Sequence, residues 1–213
     1  MSATPVEGFV VGLSGTDSVI TFILLNEVAK ELGHQFKVFG IHCVESATIE
    51  SSFQKIGMMQ WLRDRYPEST MAVSDMSNVG NSDQFRWAEF HHRAAQYKFW
   101  FASTMNATEK FLGTYSIMNK SASIAPIQSL YKSEIIELCK EYNVPQRLID
   151  LSQIPDCVCG RDEFAAENIE LIDNVIRNRF TDDMDIALVA KAAAYIRDAK
   201  NDNDFKNRTP YMV

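Results

Sequence analysis

Nothing in the 213 residues approaches the run of about 18 apolar side chains that a membrane-spanning helix needs, so no membrane span is expected. Met1 to Gly8 lacks the basic stretch and apolar run of a secretion signal. The cysteines number four, Cys43, Cys139, Cys157 and Cys159, too sparse for the disulfide framework of a small secreted domain. No Lys/Arg cluster offsets the net charge of −7, so the chain lacks the electrostatic footprint of a nucleic-acid binder, and no such partner is expected. Internal repeats and low-complexity linkers are missing too. These absences leave a cytoplasmic, reduced globular protein, expected to form a single domain over residues 1–213. Its 46% apolar and 23% charged composition is ordinary for that class.

The patterning present is that of an α/β protein. Phe9-Val-Val-Gly-Leu13 reads as a buried strand, and Val19 to Leu32 shows helical apolar spacing with Gly33 as its stop. Phe36 to Cys43 and Thr70 to Met76 read as strands, with a helix over Ser51 to Tyr66 between them. Strands and helices alternating at this spacing imply βαβ units and a doubly wound parallel sheet with helices on both faces. Further along, Gln84 to Phe101 reads as an aromatic-rich helix whose last part, Lys98 to Ala102, turns into a strand. Tyr131 to Tyr142 is an amphipathic helix ended by Asn143-Val-Pro145. Gln153 to Arg161 reads as a loop, Glu163 to Phe180 and Asp185 to Asp198 as helices, and Ala199 to Val213 as an aperiodic polar tail.

The segment after the first strand, Leu13-Ser-Gly-Thr-Asp-Ser18, joins a buried strand to a helix start. Unpaired N–H groups and the positive end of the helix dipole suit such a place to phosphate, and Ser14, Thr16 and Ser18 add hydroxyl donors. Asp17 makes sense beside phosphates if it holds Mg²⁺. The competing reading is a capped helix start in which Asp17 or Ser14 satisfies N–H groups; spacing alone does not separate the two.

Ser-Gly-Thr-Asp-Ser resembles the Ser-Gly-Gly-x-Asp-Ser loop of the ATP pyrophosphatase (PP-loop) families, one residue short. Downstream, Ser103-Thr-Met-Asn106-Ala-Thr-Glu109-Lys-Phe-Leu-Gly113 is similar to the Gly-Thr-x-Asn-x-x-Glu…Leu-Gly stretch of ammonia-dependent NAD synthetases. Ala125-Pro-Ile127…Leu130-Tyr-Lys132, Pro155…Asp162-Glu163 and Phe205-Lys206-Asn207-Arg208-Thr-Pro210 follow that family's order. The resemblance implies an adenine nucleotide alpha hydrolase-like fold and an adenylating amide ligase that forms NAD from nicotinic acid adenine dinucleotide, releasing AMP and pyrophosphate. Its cofactors would be ATP and Mg²⁺. Ser14, Gly15, Thr16 and Ser18 would cradle the ATP phosphates, with Thr104 near the nucleotide and His42 at the strand-end rim where adenine could lie. Asp17 and Glu109 would hold the metal, and Asp17 and Lys132 would serve the chemistry. Asn106, Asp162, Glu163 and Lys206 would meet the substrate. Free ammonia would supply nitrogen, since a glutaminase domain does not fit in this length, and a homodimer is implied.

Several positions depart from the pattern. The loop lacks one glycine, Ile117 stands where the family has a Lys, and Ser123 replaces an Asp. Phe205 replaces the tail His, and the Ala-Arg-x-Arg pattern is not evident in Phe85-Arg-Trp-Ala-Glu-Phe-His-His-Arg93. Only eight residues precede the first strand, where the family carries a further helix. The readings that stand beside NAD synthesis are a PP-loop enzyme adenylating another acid or nucleotide, and a catalytically weakened nucleotide-binding relative. Cys157-Val-Cys159 is at most half of a zinc site and reads better as a plain loop. Cys43 reads as a buried strand-end thiol rather than a nucleophile. Trp61, Trp87 and Trp100 read as core or interface.

Overall fold

The structure, a computed structural model, describes residues 6–44, 51–76, 83–152, 154 and 163–208. Four parallel strands form one sheet in the order β3-β2-β1-β4: β1 (Gly8–Gly12), β2 (Lys37–Val44), β3 (Thr70–Asp75) and β4 (Trp100–Ala102). The order reverses beside β1, and parallel sheets open a ligand crevice at the carboxyl ends of the strands at such a switch.

The alternation of side chains along β1 explains the layering. Phe9 and Val11 face one side, where α1 (Thr16–Glu31), α3 (Met58–Arg65) and α6 (Lys132–Glu141) pack through Phe22, Ile23, Leu62 and Ile135. Val10 faces the other, with Phe39 and Ile41 of β2, and α4 (Asp83–Tyr97) covers it through Trp87 and Ala94. Helices therefore lie on both faces of the sheet, as expected. Gly12, at the end of β1, lets Phe90 of α4 close on the strand: a Cβ there would lie 2.5 Å from that ring. A third apolar cluster is wholly helical. Leu112 of α5 (Ala107–Leu112), Ala165 of α8 (Glu163–Glu167), Ile172 of α9 (Ile169–Ile176) and Ala192 and Ile196 of α10 (Ile186–Asn207) build it.

Several expected elements differ. The helix expected over 51–66 is two, α2 (Ser52–Lys55) and α3, because Gly57 sits at φ 74°, a left-handed conformation that ends one helix and starts the next. The aromatic helix does give way to a strand as expected, but later than Lys98: it ends at Tyr97, Lys98 is left-handed at φ 58°, and the chain re-enters the sheet at Trp100. The helix expected to reach Phe180 is interrupted at Asn168 and stops at Ile176. The expected polar tail is a helix as far as Asn207. The Tyr115 hydroxyl donates to the Lys206 carbonyl at 2.8 Å, and Lys206 Nζ donates to the Gly113 carbonyl at 3.0 Å. A short helix, α7 (Gln146–Leu151), follows Pro145 and completes the sheet's α1 face through Leu148 and Ile149. No described helix is long and apolar enough to cross a membrane. The Cys157–Cys159 segment lies outside the described residues.

Candidate active site

A cleft of about 580 Å³ opens at the carboxyl end of β1. One wall is the β1–α1 turn, residues 13–18, and that turn is closed by a single hydroxyl. Ser18 Oγ accepts the N–H groups of Ser14 and Gly15 at 2.9 and 3.0 Å and donates to the Gly15 carbonyl at 2.8 Å. Ser18 is therefore buried, and its hydroxyl shapes the loop from within. Gly15 stands at the helix N-cap with extended backbone, and a Cβ added to it would meet nothing within 4 Å, so the loop's outer side is open. Ser14, Thr16 and Asp17 line the cleft beside it.

Three charged groups expected to act together do converge. Lys132, the first residue of α6, is buried; its Nζ donates to Thr16 Oγ1 at 2.8 Å and forms an ion pair with Asp17 Oδ2. The other carboxylate oxygen of Asp17 accepts Asn106 Nδ2 at 2.8 Å. Asn106 is the N-cap of α5: its Oδ1 accepts the Glu109 N–H at 2.8 Å, and its own N–H donates to Glu109 Oε2 at 3.3 Å. One asparagine thus stands between the two carboxylates, and Asp17, Glu109 and Lys132 all face the cleft. Two carboxylates on one cleft, with room for phosphate oxygens and water, form the kind of donor set that Mg²⁺ adopts with a nucleotide. Among the described residues no group of three or more His, Cys, Asp or Glu could hold a metal by itself. A Mg²⁺ here would rely on the phosphates for its remaining ligands.

The remaining expected residues are placed more diversely. Thr104, just past β4, lines the cleft. Asn106 is fully buried, with its amide engaged by Asp17 and Glu109. His42 is buried beneath the loop. It bridges the Leu13 carbonyl and Ser51 Oγ, both at 2.6 Å, and stacks on Phe53 with ring centroids 5.0 Å apart. A carbonyl can only accept, so Nδ1 carries the proton and Nε2 accepts from Ser51. Burial lowers the His42 pKa, partly offset by the bond to Leu13. Lys206 binds the Gly113 carbonyl near the end of α10, and Glu163 is exposed at the start of α8; neither lines the cleft. Asp162 lies outside the described residues.

The opposite wall was not anticipated from the sequence. Asp83 at the start of α4 accepts Trp87 Nε1 at 3.1 Å, Arg86 Nη2 at 3.2 Å and the Ser116 hydroxyl. Arg86, Trp87, Phe90 and Cys43 complete that side. The available signal was an acidic helix start with Arg and Trp three and four positions on, the spacing of one helix face. Burial pushes the Cys43 thiol up to about 12, helped by Glu89 and opposed by Arg86 and Arg93, so this wall presents a protonated thiol.

A parallel sheet with helices on both faces, a strand–turn–helix at its switch point and a charged cleft there define an α/β fold of the adenine nucleotide alpha hydrolase-like type. Among solved structures, NMN synthetase from Francisella tularensis superposes with a TM-score of 0.71 at 19% identity, covering 98% of this chain and 90% of that one. The sequence profile described as NAD synthase matches residues 1–210, and the chain belongs to that family. The NH(3)-dependent NAD(+) synthetase of Methanosarcina acetivorans is 29% identical over 196 residues, 81% of this chain and 74% of that enzyme. The Thermotoga maritima NH(3)-dependent NAD(+) synthetase is 35% identical over 71 residues, which span 33% of this chain and 25% of that enzyme's length.

Proposed function

We propose that the chain is an ATP-dependent adenylating amide ligase that converts nicotinic acid adenine dinucleotide and ammonia to NAD. The observation that carries the reading is the convergence of Asp17, Glu109 and Lys132 on one cleft beside the β1–α1 turn. Family membership supplies the reaction type. In the first step a carboxylate oxygen of the substrate attacks the α-phosphorus of ATP, the bond to the bridging oxygen breaks, and pyrophosphate leaves. Ammonia then adds to the acyl carbon of the adenylate, the carbon–oxygen bond to AMP breaks, and the nitrogen loses a proton to give the amide.

The chain's own residues orient the reactants and balance charge. The turn at Ser14 to Thr16 seats the phosphates at the positive end of α1. Lys132, held against Asp17 and Thr16, transfers its ammonium contact to the phosphate oxygens as negative charge moves to the leaving group. Asp17 and Glu109, aligned by Asn106, would hold Mg²⁺, and the ion would supply charge neutralisation on the phosphates. The wall formed by Arg86, Trp87 and Phe90 bounds the space left for the acid. The reading includes a homodimer in the cytoplasm.

The test is release of AMP and pyrophosphate from ATP with Mg²⁺ and ammonia, with and without the dinucleotide, beside Asp17→Ala. Dinucleotide-dependent AMP with matching NAD, lost in Asp17→Ala, is the expected result. ATP binding with no AMP under any of these conditions would overturn it. AMP formed with nicotinic acid mononucleotide but not with the dinucleotide would keep the ligase and replace the acid.

A further inference from the structure

The first turn of α6 carries Lys132; Tyr131, its N-cap, makes no side-chain cap bond, and Glu134 of the same turn takes only the Tyr131 N–H. The N–H groups that a helix start leaves over are instead met from two other helices. The Lys132 N–H donates to Thr108 Oγ1 on α5 at 2.9 Å, and the Ser133 N–H donates to Asp173 Oδ2 on α9 at 2.7 Å. Thr108 in turn donates its hydroxyl to Asp173 Oδ1 at 2.5 Å. A carboxylate with only 1% of its residue exposed therefore ties together α5, α6 and α9. One turn further, at the C-cap of α9, Arg177 Nη1 donates to Glu134 Oε1 at 2.8 Å, and its guanidinium lies 4.6 Å over the Tyr131 ring. Glu134 Oε2 accepts the Tyr131 N–H at 2.8 Å. Residues one turn apart on α9 thus grip both sides of the lysine.

We propose that Asp173 is a positioning residue for Lys132, and that α9 sets the register of the lysine against Asp17 and Glu109. Thr108 adjoins Glu109 on α5, so the same carboxylate fixes the acidic and the basic partner of the cleft relative to each other. A cap made by a neutral hydroxyl would satisfy the same N–H groups without a buried charge. Burial raises the Asp173 pKa while the Thr108 and Ser133 donors lower it; in its ionised form the side chain has two acceptor oxygens and no donor, which orients the Thr108 hydroxyl and leaves the Thr108 lone pairs to the Lys132 N–H. An asparagine keeps the shape but places an NH₂ against one of two donors, which turns the Thr108 hydroxyl and lets the first turn of α6 shift. The inference rests on the ligase reading for one point, that Lys132 touches the phosphates of ATP.

The test uses the whole chain and compares affinities for ATP and adenosine by calorimetry, well below the unfolding temperature. Lys132→Met is expected to cut the advantage of ATP over adenosine by more than about tenfold, leaving the share that the β1–α1 turn contributes. Asp173→Asn is expected to cut it about tenfold with adenosine binding unchanged, since a displaced charge loses most of its contact energy. In the Lys132→Met background, Asp173→Asn should have no further effect on that ratio. A purely structural cap would lower the thermal midpoint and leave the ratio alone, and a folded Asp173→Asn protein with the wild-type ratio would overturn the proposal. Should Asp173→Asn fail to fold, Arg177→Met and Thr108→Val take its place under the same criterion. A wild type whose ratio already equals that of Lys132→Met removes the lysine from the phosphates and overturns the proposal from the other side. AMP release by the wild type, measured in parallel, tells whether the ligase reading itself has failed.

Discussion

Replacing Lys132 with methionine is expected to destabilise the protein through the partner it leaves behind. The lysine and Asp17 side chains are 9% and 16% exposed, and the ammonium also donates to Thr16. Methionine keeps the stem of the lysine but strands the Asp17 carboxylate with the Asn106 amide as its remaining described donor outside its own first turn. Breaking a buried pair by removing one partner costs about 3–5 kcal/mol; because the cleft admits water to Asp17, the lower part of that range, about 3 kcal/mol, applies here. Asp17→Asn strands the lysine instead and costs about the same. The double variant leaves neither charge unpaired, so it should lie only about 1–2 kcal/mol below wild type, with a coupling of about 4 kcal/mol. The assay is urea unfolding of the four proteins. With a slope of about 2 kcal/mol per molar, each single variant unfolds about 1.5 M earlier than wild type and the double variant later than either single. Additive losses within about 0.5 kcal/mol would refute a coupled ion pair and leave two independently placed side chains.

Gly15→Val should still fold, with a loss of about 1 kcal/mol, because its side chain meets open space but an apolar residue is a poor helix N-cap. Titration with ATP should show affinity reduced about tenfold or more if phosphates sit against the turn, and unchanged affinity would move the phosphate seat elsewhere. His42 contributes stability in its neutral form, present above the ordinary imidazole value near 6.5 and lost as pH falls through its lowered pKa in the folded protein. The thermal midpoint should therefore fall more steeply between about pH 7.5 and 5 in wild type than in His42→Asn, and parallel curves would remove His42 as the cause. With its pKa pushed up to about 12, the Cys43 thiol is ionised to about one part in ten thousand at pH 8. Peptide mapping after iodoacetamide should find Cys43 largely unmodified in the native protein although it lines the cleft, and fast labelling there would contradict that protonation state.

The strands were legible because buried parallel strands are short apolar runs between turn residues, and Phe9-Val-Val-Gly-Leu13 has few other ways to be buried. Helix breaks were harder to see. The apolar positions Phe53, Ile56, Met59 and Leu62 keep a helical period across Gly57, so periodicity predicted one helix where backbone conformation made two. The end of α10 was missed for the opposite reason. Its last residues are polar, and Tyr115 and Gly113 hold them from far away in the sequence. In the cleft, Asp17, Glu109 and Lys132 stood out by their motif order. Asp173 did not, since an acidic residue within Ile-Glu-Leu-Ile-Asp reads as a solvated helix position, and only packing reveals that it is buried. His42 was expected at the rim beside the adenine and is instead buried beneath the loop, because a strand end does not announce which way its imidazole turns.

The ion pair between Asp17 and Lys132 joins residues 115 positions apart, and the bond from Ser133 to Asp173 spans another 40. Contacts of such long range form late, because the chain entropy of closing the loop must be overcome before they contribute. As the polypeptide leaves the ribosome, β1 to β3 can pair while the lysine is still unmade, and the lysine can emerge before the helix that grips it. A nascent chain that stops short of α9 would therefore own the β1–α1 turn without its anchored cation. Birth order separates the parts of this cleft, and the chain gathers them only once α9 has been made.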